Sequence, residues 1–179
     1  FGSYTGAWSH KIFDKYKCNV YSYEHITEFY EQHLKSIGDK KIKVFNYAVD
    51  IYTGEIGMFL QKDGTSAHIN SSQNRIIVET RNVVDVFNEF ETIDLVKINI
   101  EGAEYDVLDH LYNSCQIVKP NRYMIQFHDI NDYENTNERF TFYAGKLTET
   151  TLNSERGVKD EVKADFEKYL KKLDQLKRN

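Results

Sequence analysis

No uninterrupted apolar stretch in this sequence approaches the roughly 20 residues that a membrane-spanning helix needs, and no signal-peptide pattern opens it. The chain is therefore expected to be soluble and cytoplasmic. A basic excess is also missing. The formal net charge is −5 and the 28% of charged residues mix both signs, so no field draws the chain to nucleic acid or to an anionic membrane. Cysteine is scarce: Cys18 and Cys115 lie far apart and lack the paired spacing of a zinc site or a disulfide framework. Both are expected to be ordinary buried thiols in a reducing compartment. No internal repeat or low-complexity linker divides the chain.

What is present suits one domain with a sizeable core: 179 residues, 40% apolar and 14% aromatic. Strand-like segments alternate with segments of helical period, which predicts an α/β fold with a mostly parallel sheet. The spacing of Trp8, Ile12, Phe13 and Tyr16 predicts a helix over Ser9–Tyr16. A short strand at Asn19–Glu24 follows, then a helix carrying Ile26, Phe29, Tyr30, Leu34 and Ile37 that stops at Gly38. Ile42–Val49 reads as the next strand. Glycines 54, 57 and 64 punctuate the stretch from Ile51 to Glu79, which suits an antiparallel insertion or a substrate-side loop. Ser66 and His68 lie there; solvated loop polarity is the plain reading, contact with substrate the sharper one.

Val84–Phe90 reads as a helix, Ile93–Ile100 as a buried parallel strand, and Ala103, Val107, Leu108 and Leu111 as another helix face. A strand over Arg122–His128 and a helix near residues 137–148 complete a unit spanning 1–150. The remainder, 151–179, reads as a charged amphipathic helix packing on the same domain, with a homodimer contact as the alternative. The first residues resemble the middle of a motif, so sequence or a further domain is expected upstream of Phe1.

Gly2-Ser3-Tyr4-Thr5-Gly6 stands just before a helix, where glycine permits close backbone approach to a ligand. It departs from the dinucleotide G-x-G-x-x-G fingerprint because Tyr4 occupies the second glycine position, which argues against a nicotinamide oxidoreductase. Glu24 lies 18 residues beyond Gly6, where Rossmann-type folds place an acid on ribose hydroxyls. A carboxylate accepts from both hydroxyls of a diol; an exposed surface Glu is the bland alternative.

In the segment Asp94 to Glu104, strand alternation puts Lys97, Asn99 and Glu101 on one face and Val96, Ile98 and Ile100 on the other. Burying such groups without partners costs on the order of 1–3 kcal/mol each, so they are expected to line a polar network or a wet crevice. Gln126 and His128 share a face in the same manner. A lone histidine is more often structural than catalytic, but beside Asn99 and Glu101 it suits either acid–base work or metal ligation.

On these residues the sequence resembles the FkbM methyltransferase family over roughly residues 1–130. Residues Gly2 to Ser9 look like its cofactor loop, Tyr21-Ser22-Tyr23-Glu24 like the strand ending in its ribose-binding acid, and Asn46-Tyr47-Ala48-Val49 like its next strand. Lys97-Ile98-Asn99-Ile100-Glu101-Gly102-Ala103-Glu104 resembles the family signature K-I-D-x-E-G-A-E, with Asn99 where Asp is usual, and Gln126-Phe127-His128-Asp129 resembles the closing strand.

The resemblance implies a Rossmann-like class I methyltransferase sheet with helices on both faces. It also implies methyl transfer from S-adenosylmethionine to a hydroxyl of a small molecule, sugar or glycan. Cofactor contacts would then fall to Gly2, Ser3, Tyr4, Gly6, Trp8, Glu24, Asn46 and Ala48. Catalysis would fall to Lys97, Asn99, Glu101 and His128, with Mg²⁺ or Mn²⁺ on Asn99, Glu101 and His128 as a variant. The competing reading is a non-catalytic module of the same fold that binds a glycan or a protein partner.

Overall fold

The computed structural model describes residues 1–61, 64–66, 75–117, 119–128 and 143. In chain order these form α1 (Ala7–Tyr16), β1 (Val20–Tyr23), α2 (Thr27–Ser36), β2 (Ile42–Phe45), β3 (Ala48–Asp50), β4 (Gly54–Gln61), β5 (Gly64–Ser66), β6 (Arg75–Asn82), α3 (Val83–Asn88), β7 (Val96–Ile98), α4 (Glu104–Asn113) and β8 (Tyr123–Ile125). The expected helix over 151–179, all of the expected helix near 137–148 except Tyr143, and His68 lie outside the described residues.

The alternation of strand and helix is as expected, but the described strands form three small sheets rather than one continuous Rossmann sheet. β1 and β2 pair in parallel, as do β7 and β8. The third sheet has the order β3-β6-β4-β5 and is mixed: β3 runs parallel to β6, while β4 runs antiparallel to both β5 and β6. The stretch after Ile51 is therefore the antiparallel insertion.

The expected strand Ile42–Val49 is corrected to two strands in different sheets. Asn46 breaks it: its side-chain Nδ2 donates to the carbonyls of Glu24 (2.9 Å) and His25 (3.2 Å), which ends β2 and redirects the chain into β3. β7 is shorter than the apolar run suggested. Ile93 makes only a single bridge to Pro120, and positive φ at Glu101 (53°) and Gly102 (109°) turns the chain away from extended geometry.

β1 and β7 do not bond to one another. A groove of about 1110 Å³ separates them, lined on its two sides by residues such as Tyr21, Tyr23, Leu95 and Lys97. Residues 1–3 span its end. The Phe1 backbone nitrogen donates to the Lys97 carbonyl (2.6 Å), Asn99 N–H donates to the Phe1 carbonyl (3.2 Å), and Gly2 and Ser3 N–H both donate to the Tyr23 carbonyl (3.1 Å).

The core gathers where α3 and α4 meet β1, β3 and β7. Val83, Ile98, Val107, Leu108 and Leu111 are fully buried there, each contributing about 1.5–3 kcal/mol of transfer free energy. Tyr143 is buried against this cluster and its hydroxyl donates to Asp109. α3 begins where the Asn82 side chain accepts Val84 N–H at 2.8 Å. Glu104 and Asp106 occupy the first turn of α4, where carboxylates oppose the helix dipole. The two thiols are not buried as expected: Cys18 is partly exposed, and Cys115 is exposed because it sits in the turn that ends α4, with φ of 59°.

Candidate active site

The loop Gly2–Gly6 is shaped by positive φ at Gly2 (68°), Tyr4 (50°) and Gly6 (87°). Two of these positions accept only glycine. A Cβ on Gly2 would lie 1.8 Å from the Asn99 carbonyl oxygen, and one on Gly6 would lie 2.0 Å from the His33 ring. Beneath the loop, fully buried His33 approaches Ser3 Oγ through Nδ1 (3.3 Å), and its Nε2 has no partner. That environment lowers the His33 pKa to about 4, chiefly through loss of solvent.

Loop and acid come together directly. Tyr4 N–H donates to Glu24 Oε2 at 2.7 Å, and Ile26 N–H donates to Oε1 at 3.0 Å. Glu24 is buried, and burial raises its pKa while the two backbone donors oppose that shift. Each carboxylate oxygen still has acceptor capacity for a further donor. Asn46 holds the backbone behind this group, and its own Oδ1 accepts the Thr27 hydroxyl at 3.2 Å. The Tyr4 ring is exposed and packs edge-on against Phe29.

A cavity of about 170 Å³ opens beside the loop, lined among others by Gly2, Tyr23, His25, Ala48, Ile100 and Ala103. It lies past the C-terminal ends of β1 and β7, where open α/β sheets take ligands. His25 and Asp106, also on its wall, were not singled out from the sequence. Trp8 is placed elsewhere, on the larger groove between β1 and β7.

Lys97 joins the loop to the second cluster. Its Nζ donates to the Gly2 carbonyl at 3.3 Å; burial lowers its pKa, and the charges of Glu24, Glu101 and Glu104 oppose that shift. The three-residue polar face expected along the strand ends at Ile98, so the Glu101 turn rather than strand alternation brings Glu101 to His128. Its Oε2 lies 3.5 Å from His128 Nε2. The in-register parallel pairing of β7 with β8 carries His128 to this end of the pair. Asn99 Oδ1 is buried and without a partner.

Glu104 was quoted within the signature without a role, yet it organises the cluster. It is fully buried and accepts from Ile100 N–H (2.7 Å) and Gly102 N–H (2.8 Å), and its Oε1 lies 2.9 Å from His128 Nδ1. The signal that points to it is an acid in the first turn of a helix, two residues after a glycine, positioned to fold back on the preceding amides.

The FkbM methyltransferase domain matches residues 1–174. The chain belongs to that family. It is a methyltransferase domain. Comparison with curated proteins and with solved structures finds no match. Among the described residues no helix is long and apolar enough to cross a membrane.

Asn99, Glu101 and His128 do not fit this FkbM domain's expected Mg²⁺ or Mn²⁺ variant. Among the described residues no group of three His, Cys, Asp or Glu side chains is arranged to hold a metal ion. Of the three, Glu101 alone offers a carboxylate, and Asn99 supplies only a neutral amide oxygen.

Proposed function

We propose that this FkbM domain transfers a methyl group from S-adenosylmethionine to a hydroxyl of a sugar or glycan. The observation that supports this most is the 2.7 Å bond from Tyr4 N–H to the Glu24 carboxylate, which unites the glycine loop and the acid next to the cavity lined by Gly2, Tyr23 and His25. S-adenosylmethionine, when bound, supplies an electrophilic methyl group on a sulfonium.

The protein's part is positioning and proton management. Gly2 and Gly6 let the backbone approach the donor closely, and Ser3, Tyr4 and Trp8 belong to the same loop and helix start. Glu24 accepts from a ribose diol, while Asn46 fixes the carbonyls behind it and Ala48 leaves room on the cavity wall. Across the site, the unpartnered Asn99 Oδ1 accepts the hydroxyl of the acceptor. His128 or Glu101 takes its proton, and Lys97 offsets the negative charge of Glu24, Glu101 and Glu104.

Calorimetric titration with S-adenosylhomocysteine tests the donor site. Binding is expected; silence at millimolar ligand would favour the non-catalytic glycan- or partner-binding module. Incubation of candidate saccharides with isotopically labelled donor, read by mass spectrometry, identifies the acceptor. Excess chelator should leave that transfer unchanged.

A further inference from the structure

The His128 imidazole lies between two carboxylates that are not equivalent. Glu104, on its Nδ1 side, is fully buried and immobilised by two backbone amides from the turn it closes. Glu101, 3.5 Å from Nε2, has a side chain 41% exposed. An ionised carboxylate only accepts hydrogen bonds. Both Glu104 oxygens accept backbone N–H groups, as a carboxylate does, so at 2.9 Å from Oε1 the Nδ1 atom is the one assigned the ring proton. In a neutral ring the Nε2 lone pair then accepts from the Gln126 side-chain nitrogen at 3.4 Å, a long bond that a substrate hydroxyl can displace.

We propose that Glu104 is a positioning residue that locks His128 in its Nδ1–H tautomer, which selects Nε2, rather than Glu101, as the proton acceptor. This choice rests on the methyl-transfer reading; the tautomer itself does not. As the acceptor oxygen bonds to the methyl carbon, the carbon–sulfur pair stays on sulfur and the hydroxyl proton passes to Nε2. The resulting imidazolium sits between the Glu101 and Glu104 carboxylates, which stabilise its charge, and then releases the proton to water. A buried acid that orients a histidine through Nδ1–H is an established physical device for holding one tautomer. Here the acid and the turn carrying Glu101 are one unit, because Glu104 closes that turn by binding the amides of Ile100 and Gly102.

The experiment is long-range ¹H–¹⁵N correlation on the full chain labelled at histidine, at mildly alkaline pH, with His128→Asn assigning the signal. The wild type should show protonated Nδ1 and unprotonated Nε2. Glu101→Gln should keep that pattern, whereas Glu104→Gln, whose amide can donate to Nδ1, should lose it. Nε2–H in the wild type overturns the inference, as does an unchanged tautomer in Glu104→Gln. If Glu104→Gln does not fold, the wild-type and Glu101→Gln spectra decide alone. S-adenosylhomocysteine titration of the same samples separates the two claims. An Nδ1–H tautomer without ligand binding sinks the methyl-transfer reading, and binding with the opposite tautomer sinks only the role of Glu104.

Discussion

Replacing Gly6 with alanine should harm this protein through two separable effects. The first is conformational: at φ of 87° an L-residue pays about 1–2 kcal/mol. The second is steric. The new Cβ would lie 2.0 Å from His33 Cδ2 and 2.3 Å from Nε2, and the fully buried ring has no open solvent to swing into. Forcing such a contact costs about 1–3 kcal/mol, so the total is about 2–5 kcal/mol, or a Tm drop of about 4–20 °C for a domain of this size. Gly38 is the matched control, since its φ is 58° and a Cβ there meets nothing within 4 Å. Gly38→Ala should cost only the conformational part. In a His33→Ala background, Gly6→Ala should likewise fall to about 1–2 kcal/mol, leaving a coupling of about 1–3 kcal/mol. Urea titrations of the four variants and the parent give these differences directly. If Gly6→Ala proves no worse than Gly38→Ala, the His33 ring does not set the loop's shape.

His33 also predicts a pH dependence. Its pKa in the folded chain is lowered from 6.5 to about 4, so its contribution to stability is fully present above about pH 6.5 and is lost as pH falls towards 4. The loss is on the order of 3 kcal/mol, and denaturant titrations across that window should be flatter for His33→Phe; equal slopes would contradict this. Asn82→Ala removes the α3 cap and a 2.8 Å bond to the Ile51 carbonyl, which should cost about 1–2 kcal/mol by thermal melt, with Asn82→Asp in between. Glu24→Gln should weaken S-adenosylhomocysteine binding by about 10- to 100-fold, the worth of a charge-assisted hydrogen bond. Unchanged affinity would remove Glu24 from the donor site.

Much of the local structure was legible because apolar periodicity is a property of neighbours in sequence. Ile12, Phe13 and Tyr16 placed α1 to within two residues, and the glycines after Ile51 announced the antiparallel insertion. What was not legible depends on distant contacts. Nothing local marks Asn46 as a strand breaker; its effect comes from the carbonyls of residues 24 and 25. The Ile93–Ile100 run looked like one long strand because hydrophobicity does not reveal where a chain turns, and the left-handed Glu101 was hidden beside Gly102. Likewise, His128 and Glu101 were visible as chemistry, while Glu104 had no role until the fold placed its carboxylate against the imidazole. Burial of the two cysteines failed for a related reason: exposure is decided by how the helix ends pack, not by the residue's own polarity.

The Asn46 clasp has a mechanical consequence. It pins the carbonyls on which the Glu24 carboxylate depends, and the chain enters the mixed sheet only after this point. Beyond that clasp, Ile51, Tyr52, Ile56 and Met58 return to the wall of the cavity that Gly2 also lines, so a change in the hairpin reaches the loop's cavity while the backbone carbonyls of Glu24 and His25 stay held.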